Sequence, residues 1–229
     1  LERLERAIGS ARRGEGRLVL VGGESGIGKT RLVNELGVRA AQRGALVLEG
    51  ECTRGGPPLE AWVDPLERIA DRCHSRGPAE AQRVFGARAA ALTPYVPALD
   101  ALPIVAPRPP TELGPDASRA RVFEAVAGSL RALVAEQPLL LVLDDLQWAD
   151  RLTLDLLRHL ARELLPHAGV AIVGTYRSDE AGPRLRRLVD VAGVEVVGVE
   201  RLEEPAVRAL IGDMLADPSP GPLAGYLAT

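Results

Sequence analysis

Lysine is almost absent from this chain of 229 residues: of its 28 basic side chains, one is lysine, Lys29, and the rest are arginine. Arginine replaces lysine freely at solvated positions, so the skew itself says little. The position that kept a compact ammonium says more, because a guanidinium is a wide planar fork that a tight loop does not accept. Aromatics amount to 3%, against a hydrophobic content of 46%, so the core must be built from Leu, Val and Ala. Two cysteines, Cys52 and Cys73, lie far apart without a C-x-x-C pattern, which argues for reduced thiols and against a disulfide framework. Cys73-His74 supplies too few ligands for a metal site, which needs three or four. No apolar run approaches the roughly 18 residues of a membrane span, and no signal peptide opens the chain. A net charge of −3 gives no electrostatic case for nucleic-acid binding by this segment. The expectation is a cytoplasmic chain that contacts neither membrane nor nucleic acid.

What is present is concentrated around that lysine. Gly23-Glu24-Ser25-Gly26-Ile27-Gly28-Lys29-Thr30 matches G-x-x-x-x-G-K-[ST], the phosphate-binding P-loop pattern. Glycines at 23, 26 and 28 let backbone N–H groups converge on phosphate oxygens where side chains would intrude. A helix beginning near Lys29 adds the partial positive charge of its N-terminus. Lys29 is expected to reach the β and γ phosphates and the Thr30 hydroxyl to bind Mg²⁺. Arg31, next along, completes the nucleotide-binding segment 23–31.

The pattern around the loop fits that chemistry. Residues 1–13 repeat apolar positions at helical spacing, and 17–21 is a short apolar run of the kind buried on both sheet faces. A helix over 30–43 and a strand over 45–50 complete a βαβ unit. Residues 51–136 break the alternation, with helices predicted over 59–76, 78–92 and 116–136 and a proline-rich bend over 94–115. Alternation resumes with strands over 139–143, 170–175 and 194–199, separated by helices over 152–165 and 183–191. A further helix over 203–216 reads as the start of a lid. The fold class expected is α/β, with a five-stranded parallel doubly wound sheet. Its ATPase domain would span 1–200, including the mostly helical insertion 51–136, and a truncated lid would occupy 201–229. An opening residue that is not Met and a stop inside a helical pattern suggest a domain of a longer chain.

The second chemical feature is the acid pair that ends the strand Leu139–Leu143. Ligands of open parallel sheets gather at the carboxyl ends of strands, so Asp144 and Asp145 should face the loop. Asp144 would hold Mg²⁺ and Asp145 would orient or deprotonate an attacking water. The competing reading is that these acids cap the following helix, a role that Asp150 fits better.

Asp144-Asp145-Leu146-Gln147-Trp148-Ala149-Asp150 resembles the D-D-[LVIA]-[HQ]-W-[AS]-D signature of bacterial STAND-type ATPases. The chain is similar to the ATPase module of the large ATP-binding regulators of the LuxR family, which also occurs beside kinase and cyclase domains. G-E-x-G-I-G-K-T-R-L at 23–32, Gly174-Thr175-Tyr176-Arg177 and Leu202-Glu203-Glu204 extend the resemblance. It implies that Arg177 is a sensor approaching the γ-phosphate, although a plain surface arginine is the alternative. Trp148 marks the family but on physical grounds reads as packing. Asp145 stands where AAA+ motors usually carry the longer Glu, which favours slow hydrolysis. The family's G-R-E and G-N-P segments fall outside residues 1–229, which points to weak nucleotide holding.

Three functions follow as expectations. The leading one is an ATP/ADP and Mg²⁺-dependent switch of a multidomain regulator, partnered by other domains of its chain and by nucleotide-dependent self-association. The others are a kinase-like enzyme acting on a small acceptor and a non-hydrolysing nucleotide-binding scaffold.

Overall fold

Strand β1 (Arg17–Gly23) is buried from Leu18 onward, and its alternate residues face opposite sides of the sheet. Such a strand needs cover on both sides, and the chain provides it. The computed structural model describes residues 1–104 and 114–201, in which Leu1–Gly198 forms one compact unit. The other strands are β2 (Leu46–Glu51), β3 (Leu139–Asp144), β4 (Val170–Arg177) and β5 (Val194–Gly198). They form a single five-stranded sheet in the order β2-β3-β4-β1-β5. Every neighbouring pair is parallel. The expected fold class is therefore observed.

Helices α1 (Glu2–Ala11) and α2 (Lys29–Gln42) cover one face, where Val19, Val21, Leu140, Val142, Ala171 and Val173 are buried. The other face carries Leu18, Leu20, Leu139, Leu141 and Ile172, which join one continuous apolar cluster. That cluster takes in α3 (Glu60–Arg76), α4 (Pro78–Val84), α5 (Ala89–Leu92) and α6 (Pro115–Val134). It also takes in α7 (Arg151–Glu163) and α8 (Pro183–Val189). Trp62, Leu66, Ile69, Phe85 and Leu130 belong to it and are fully buried. The helical insertion shares the sheet's core and is not an appendage.

The approach of α3 to the sheet is close. A Cβ built on Gly50 of β2 would sit 1.9 Å from the Ala61 carbonyl oxygen. Only a residue without a side chain lets these backbones meet.

One expectation needs correction. The helix predicted over 78–92 is interrupted: α4 stops at Val84, residues 86–88 form a 3₁₀ turn and α5 is separate. Gly86 has φ +44°, outside the right-handed helical region, which breaks the helix, and Phe85 and Leu92 on either side are both buried. Part of the proline-rich bend and the lid over 202–229 lie outside the described residues.

Candidate functional site

The loop between β1 and α2 occupies residues 24–28, with Gly26 at φ +74° and Gly28 at φ +99°. A Cβ at either would meet nothing within 4 Å, so it is the left-handed backbone and not space that demands glycine. Lys29 is buried at 7% exposure on the first turn of α2. Its ammonium donates to the carbonyl oxygens of Gly23 (3.1 Å) and Glu24 (2.7 Å), folded back over the loop. Ser25, Thr30 and Arg31 are exposed and Ile27 is half-buried.

The acids stand beside the loop because β3 pairs with β4, which in turn pairs with β1. The Thr30 hydroxyl donates to Asp144 Oδ2 at 3.0 Å, joining the loop to the end of β3. The other oxygen, Oδ1, accepts from the hydroxyl of Thr175, a fully buried polar residue on β4. Thr175 Oγ1 also accepts the Asp145 N–H at 3.1 Å. One hydroxyl thus fixes the rotamer of Asp144 and the turn that follows it. That turn is unusual, since Asp145 is a non-glycine residue in the left-handed region at φ +56°. Asp tolerates it better than most residues, and such outliers concentrate at functional sites.

Asp145 precedes a 3₁₀ turn over Leu146–Trp148, but its side chain makes no capping bond. Its Oδ1 accepts from Gln147 Nε2 at 2.7 Å, and the Arg177 guanidinium lies 3.9 Å away. Gln147 uses its other atom too, its Oε1 accepting the Arg177 N–H at 3.0 Å. The cap of α7 is Asp150, whose Oδ1 accepts from the N–H groups of Leu152 (2.7 Å) and Thr153 (3.2 Å). Its Oδ2 accepts from Leu59 N–H at 3.0 Å, tying the insertion to the acid block. The Cys52 N–H bonds the Asp144 carbonyl at 3.0 Å in the same way. Burial, followed by the charge of Asp150, pushes the Cys52 thiol up to about 12, so it is inert as a thiolate.

Arg177 ends β4 directly opposite Gly23 in the register with β1, at the root of the phosphate loop. Its guanidinium donates to Glu180 Oε1 at 2.9 Å and lies 5.0 Å from the centre of the Trp148 ring. Trp148 packs against the core, and its indole N–H donates to Glu180 Oε2 at 3.2 Å. Arg54, on the segment between β2 and α3, also reaches Glu180 (3.3 Å) and the same ring (5.8 Å). Burial works against charge on Glu180. The bonds from Arg177 and Trp148 and the charges of Arg177 and Arg54 outweigh it, holding the carboxyl below its usual range.

Lys29, Thr30, Asp144, Asp145 and Arg177 therefore converge at one end of the sheet. A cleft of about 520 Å³ opens beside them, lined by Thr30, Asn34, Glu51, Asp64, Glu67 and Asp144. A larger hollow of about 800 Å³ runs along α1 to Arg17, at the start of β1 and away from this chemistry. Sequence reading assigned no role to Thr175, Gln147 or Glu180. Thr175 lies within Gly174-Thr175-Tyr176-Arg177 and Gln147 within the Asp144–Asp150 block, while Glu180 belongs to no motif. Among the described residues there is no cluster of three or more His, Cys, Asp or Glu able to hold a metal by itself, and Cys73 lies buried in α3. No described helix is long and apolar enough to cross a membrane.

Comparison with known proteins agrees with this geometry. The chain is 28% identical over 178 residues to an uncharacterized protein of Rhizobium meliloti (strain 1021), covering 73% of this chain and 17% of that one. It thus spans about a sixth of the length of that curated relative. Among solved structures, the Drosophila origin recognition complex bound to DNA matches at 14% identity and a TM-score of 0.50, over 94% of this chain and 45% of that one. AMPPCP-bound DnaA from Aquifex aeolicus matches at 16% identity and a TM-score of 0.48, over 99% of this chain and 54% of that one. At 14% identity the Drosophila match speaks for fold alone. A family model described as the AAA ATPase domain matches residues 1–173, three quarters of the chain and all of the loop and acid block. The chain belongs to the AAA ATPase domain family, and with it to the nucleotide-binding P-loop ATPases.

Proposed function

We propose that this domain is a Mg·ATP switch with slow hydrolysis, working inside a multidomain bacterial regulator of the STAND, LuxR-like kind. The observation that carries the nucleotide chemistry is the Thr30–Asp144 hydrogen bond of 3.0 Å. One hydroxyl and one carboxylate at the mouth of a phosphate loop suit Mg²⁺, which takes one or two protein oxygens and leaves the rest to phosphates and water. When bound, the metal would neutralise charge on the β and γ phosphates. Thr30 and Asp144 would hold it, and their mutual bond would open to present both oxygens.

The chain's own residues do the rest. Lys29 now bonds two loop carbonyls, and exchanging them for phosphate oxygens replaces two dipoles with full charges. The N–H groups from Gly26 to Thr30 cradle the same phosphates. Asp145 orients the attacking water through Oδ2, since Gln147 already occupies Oδ1. A short carboxylate with one oxygen engaged reaches less far toward a water than the longer Glu would, which supports a slow, timer-like turnover. The regulatory part of the reading rests on the Asp-Asp-x-x-Trp resemblance. It also rests on the modest share of a longer relative that the chain spans, which leaves room for output domains. The DNA named with the Drosophila complex is a property of that complex. With a net charge of −3, this segment is proposed to act through ATP and its own chain, in the cytoplasm.

Mg·ATP should raise the melting temperature of the chain, and EDTA should remove most of the rise. Lys29→Ala should abolish it. Asp145→Asn should leave the rise intact and slow phosphate release at least tenfold, about 1.4 kcal/mol in the barrier. Equal release rates would remove Asp145 from the reaction.

A further inference from the structure

Glu180 stands outside every motif, yet three groups converge on it. Arg177, Arg54 and the Trp148 indole N–H all bond its carboxylate, and the Trp148 ring carries both guanidiniums within cation–π reach. Arg177 and Glu180 are 27% and 29% exposed, so water screens this pair only in part. Of the two carboxylates beside Arg177, Glu180 at 2.9 Å is hydrogen-bonded to it, whereas Asp145 stands 3.9 Å away.

The geometry points to Glu180 as a latch that parks Arg177 on Trp148, so that the γ-phosphate must compete with this carboxylate for the guanidinium. The inference rests on the reading of Arg177 as the γ-phosphate contact. The backbone already favours the exchange. Arg177 pairs with Gly23, and the Ser178 N–H bonds the Gly23 carbonyl at 3.3 Å, so the root of the side chain is fixed beside the loop. Only the side chain has to swing. Glu180 is not stranded when it does, because Arg54 and the indole N–H remain on Oε2. An exchange that leaves no buried charge unpaired has a small barrier and a small net cost, as a reversible latch requires.

Two consequences distinguish a latch from a structural ion pair. The latch opposes a triphosphate and leaves a diphosphate untouched, since only the γ-phosphate competes for Arg177. Loosening it must therefore improve ATP binding, where breaking a merely stabilising bridge would weaken all binding alike.

Affinities for ADP and for AMPPCP in Mg²⁺, measured by calorimetry on wild type, Glu180→Gln and Arg177→Ala, test this. Glu180→Gln should raise the preference for AMPPCP over ADP about fivefold, the value of one partly exposed ion pair. Arg177→Ala should lower the same preference. If Arg177→Ala lowers the preference and Glu180→Gln leaves it unchanged or lowers it, the latch is overturned and the sensor reading stands. If Arg177→Ala leaves the preference unchanged, or the wild type binds neither nucleotide, both fall. ADP binding controls for folding. Should Glu180→Gln lose it, Glu180→Asp keeps the charge and shortens the reach by one methylene. It should shift the preference in the same direction by a smaller factor, and no shift overturns the latch.

Discussion

Replacing Thr175 by Val tests whether one buried hydroxyl organises the acid pair. Val is nearly the same shape, so no cavity opens and the change isolates the hydroxyl. Thr175 is fully buried, donates to Asp144 Oδ1 and accepts from Asp145 N–H. The N–H keeps a second acceptor, Asp144 Oδ1 at 3.2 Å, so it is not orphaned. The loss is then one charge-assisted hydrogen bond plus a weakened neutral one, about 2 kcal/mol. For a domain of this size each kcal/mol moves the midpoint by about 2–4 °C, so the melting temperature should fall by about 4–8 °C. Thr175→Ser keeps the hydroxyl and loses one buried methyl, worth about 0.8 kcal/mol, or 2–3 °C. Scanning calorimetry on the three proteins without nucleotide reads the effect directly. With Mg·ATP present, the Val variant should also gain less stabilisation than the Ser variant, because a freed Asp144 rotates away from Thr30. A Val variant melting at or above the Ser variant would refute the argument, since methyl burial would then outweigh the bond to the carboxylate.

Two further expectations concern the frame. Gly50→Ala drives a Cβ to 1.9 Å from a backbone oxygen that cannot turn aside, so α3 must move off the sheet. A loss of about 3 kcal/mol follows, visible as a fall in urea midpoint with m unchanged, and an unaltered midpoint would show that β2 and α3 part easily. Glu136 is held below the ordinary carboxylate value of 4.5, first by the hydrogen bond from Arg76, then, against burial, by the charges of Arg83, Arg76 and Arg72. A depressed carboxyl stabilises the fold above its unfolded value, and that contribution is lost as the pH falls through the folded one. Melting temperature plotted against pH should therefore drop more steeply below about pH 4.5 in wild type than in Glu136→Gln. Parallel curves would mean that the cluster of Glu136 with Arg72, Arg76 and Arg83 contributes nothing.

The part of the site legible in the sequence is the part whose residue types are contiguous. Gly26, Gly28, Lys29 and Thr30 follow one another because a phosphate cradle is a local object: φ > 0 glycines, one ammonium, one hydroxyl. Asp144 was legible for a related reason, as a charge that closes an apolar strand. Thr175, Gln147 and Glu180 were not, because their meaning depends on β4 lying between β1 and β3, an arrangement that periodicity does not encode. A threonine ending an apolar strand looks like any other until its neighbour across the sheet is known to be Asp144. The parallel α/β class followed from alternation, whereas the break between α4 and α5 did not. A helical apolar period runs through Phe85 and Gly86, and a single glycine is often tolerated inside a helix.

The strand order also sets a schedule for biosynthesis. β1 pairs only with β4 and β5, made about 150 residues later, so the strand that roots the phosphate loop emerges from the ribosome without either edge satisfied. At ribosomal speeds of 5–20 residues per second the wait is roughly 8–30 s, during which an apolar strand has no sheet to join. Nucleotide capture is consequently one of the last properties the nascent domain acquires. A chain able to hold ATP has already closed the centre of its sheet.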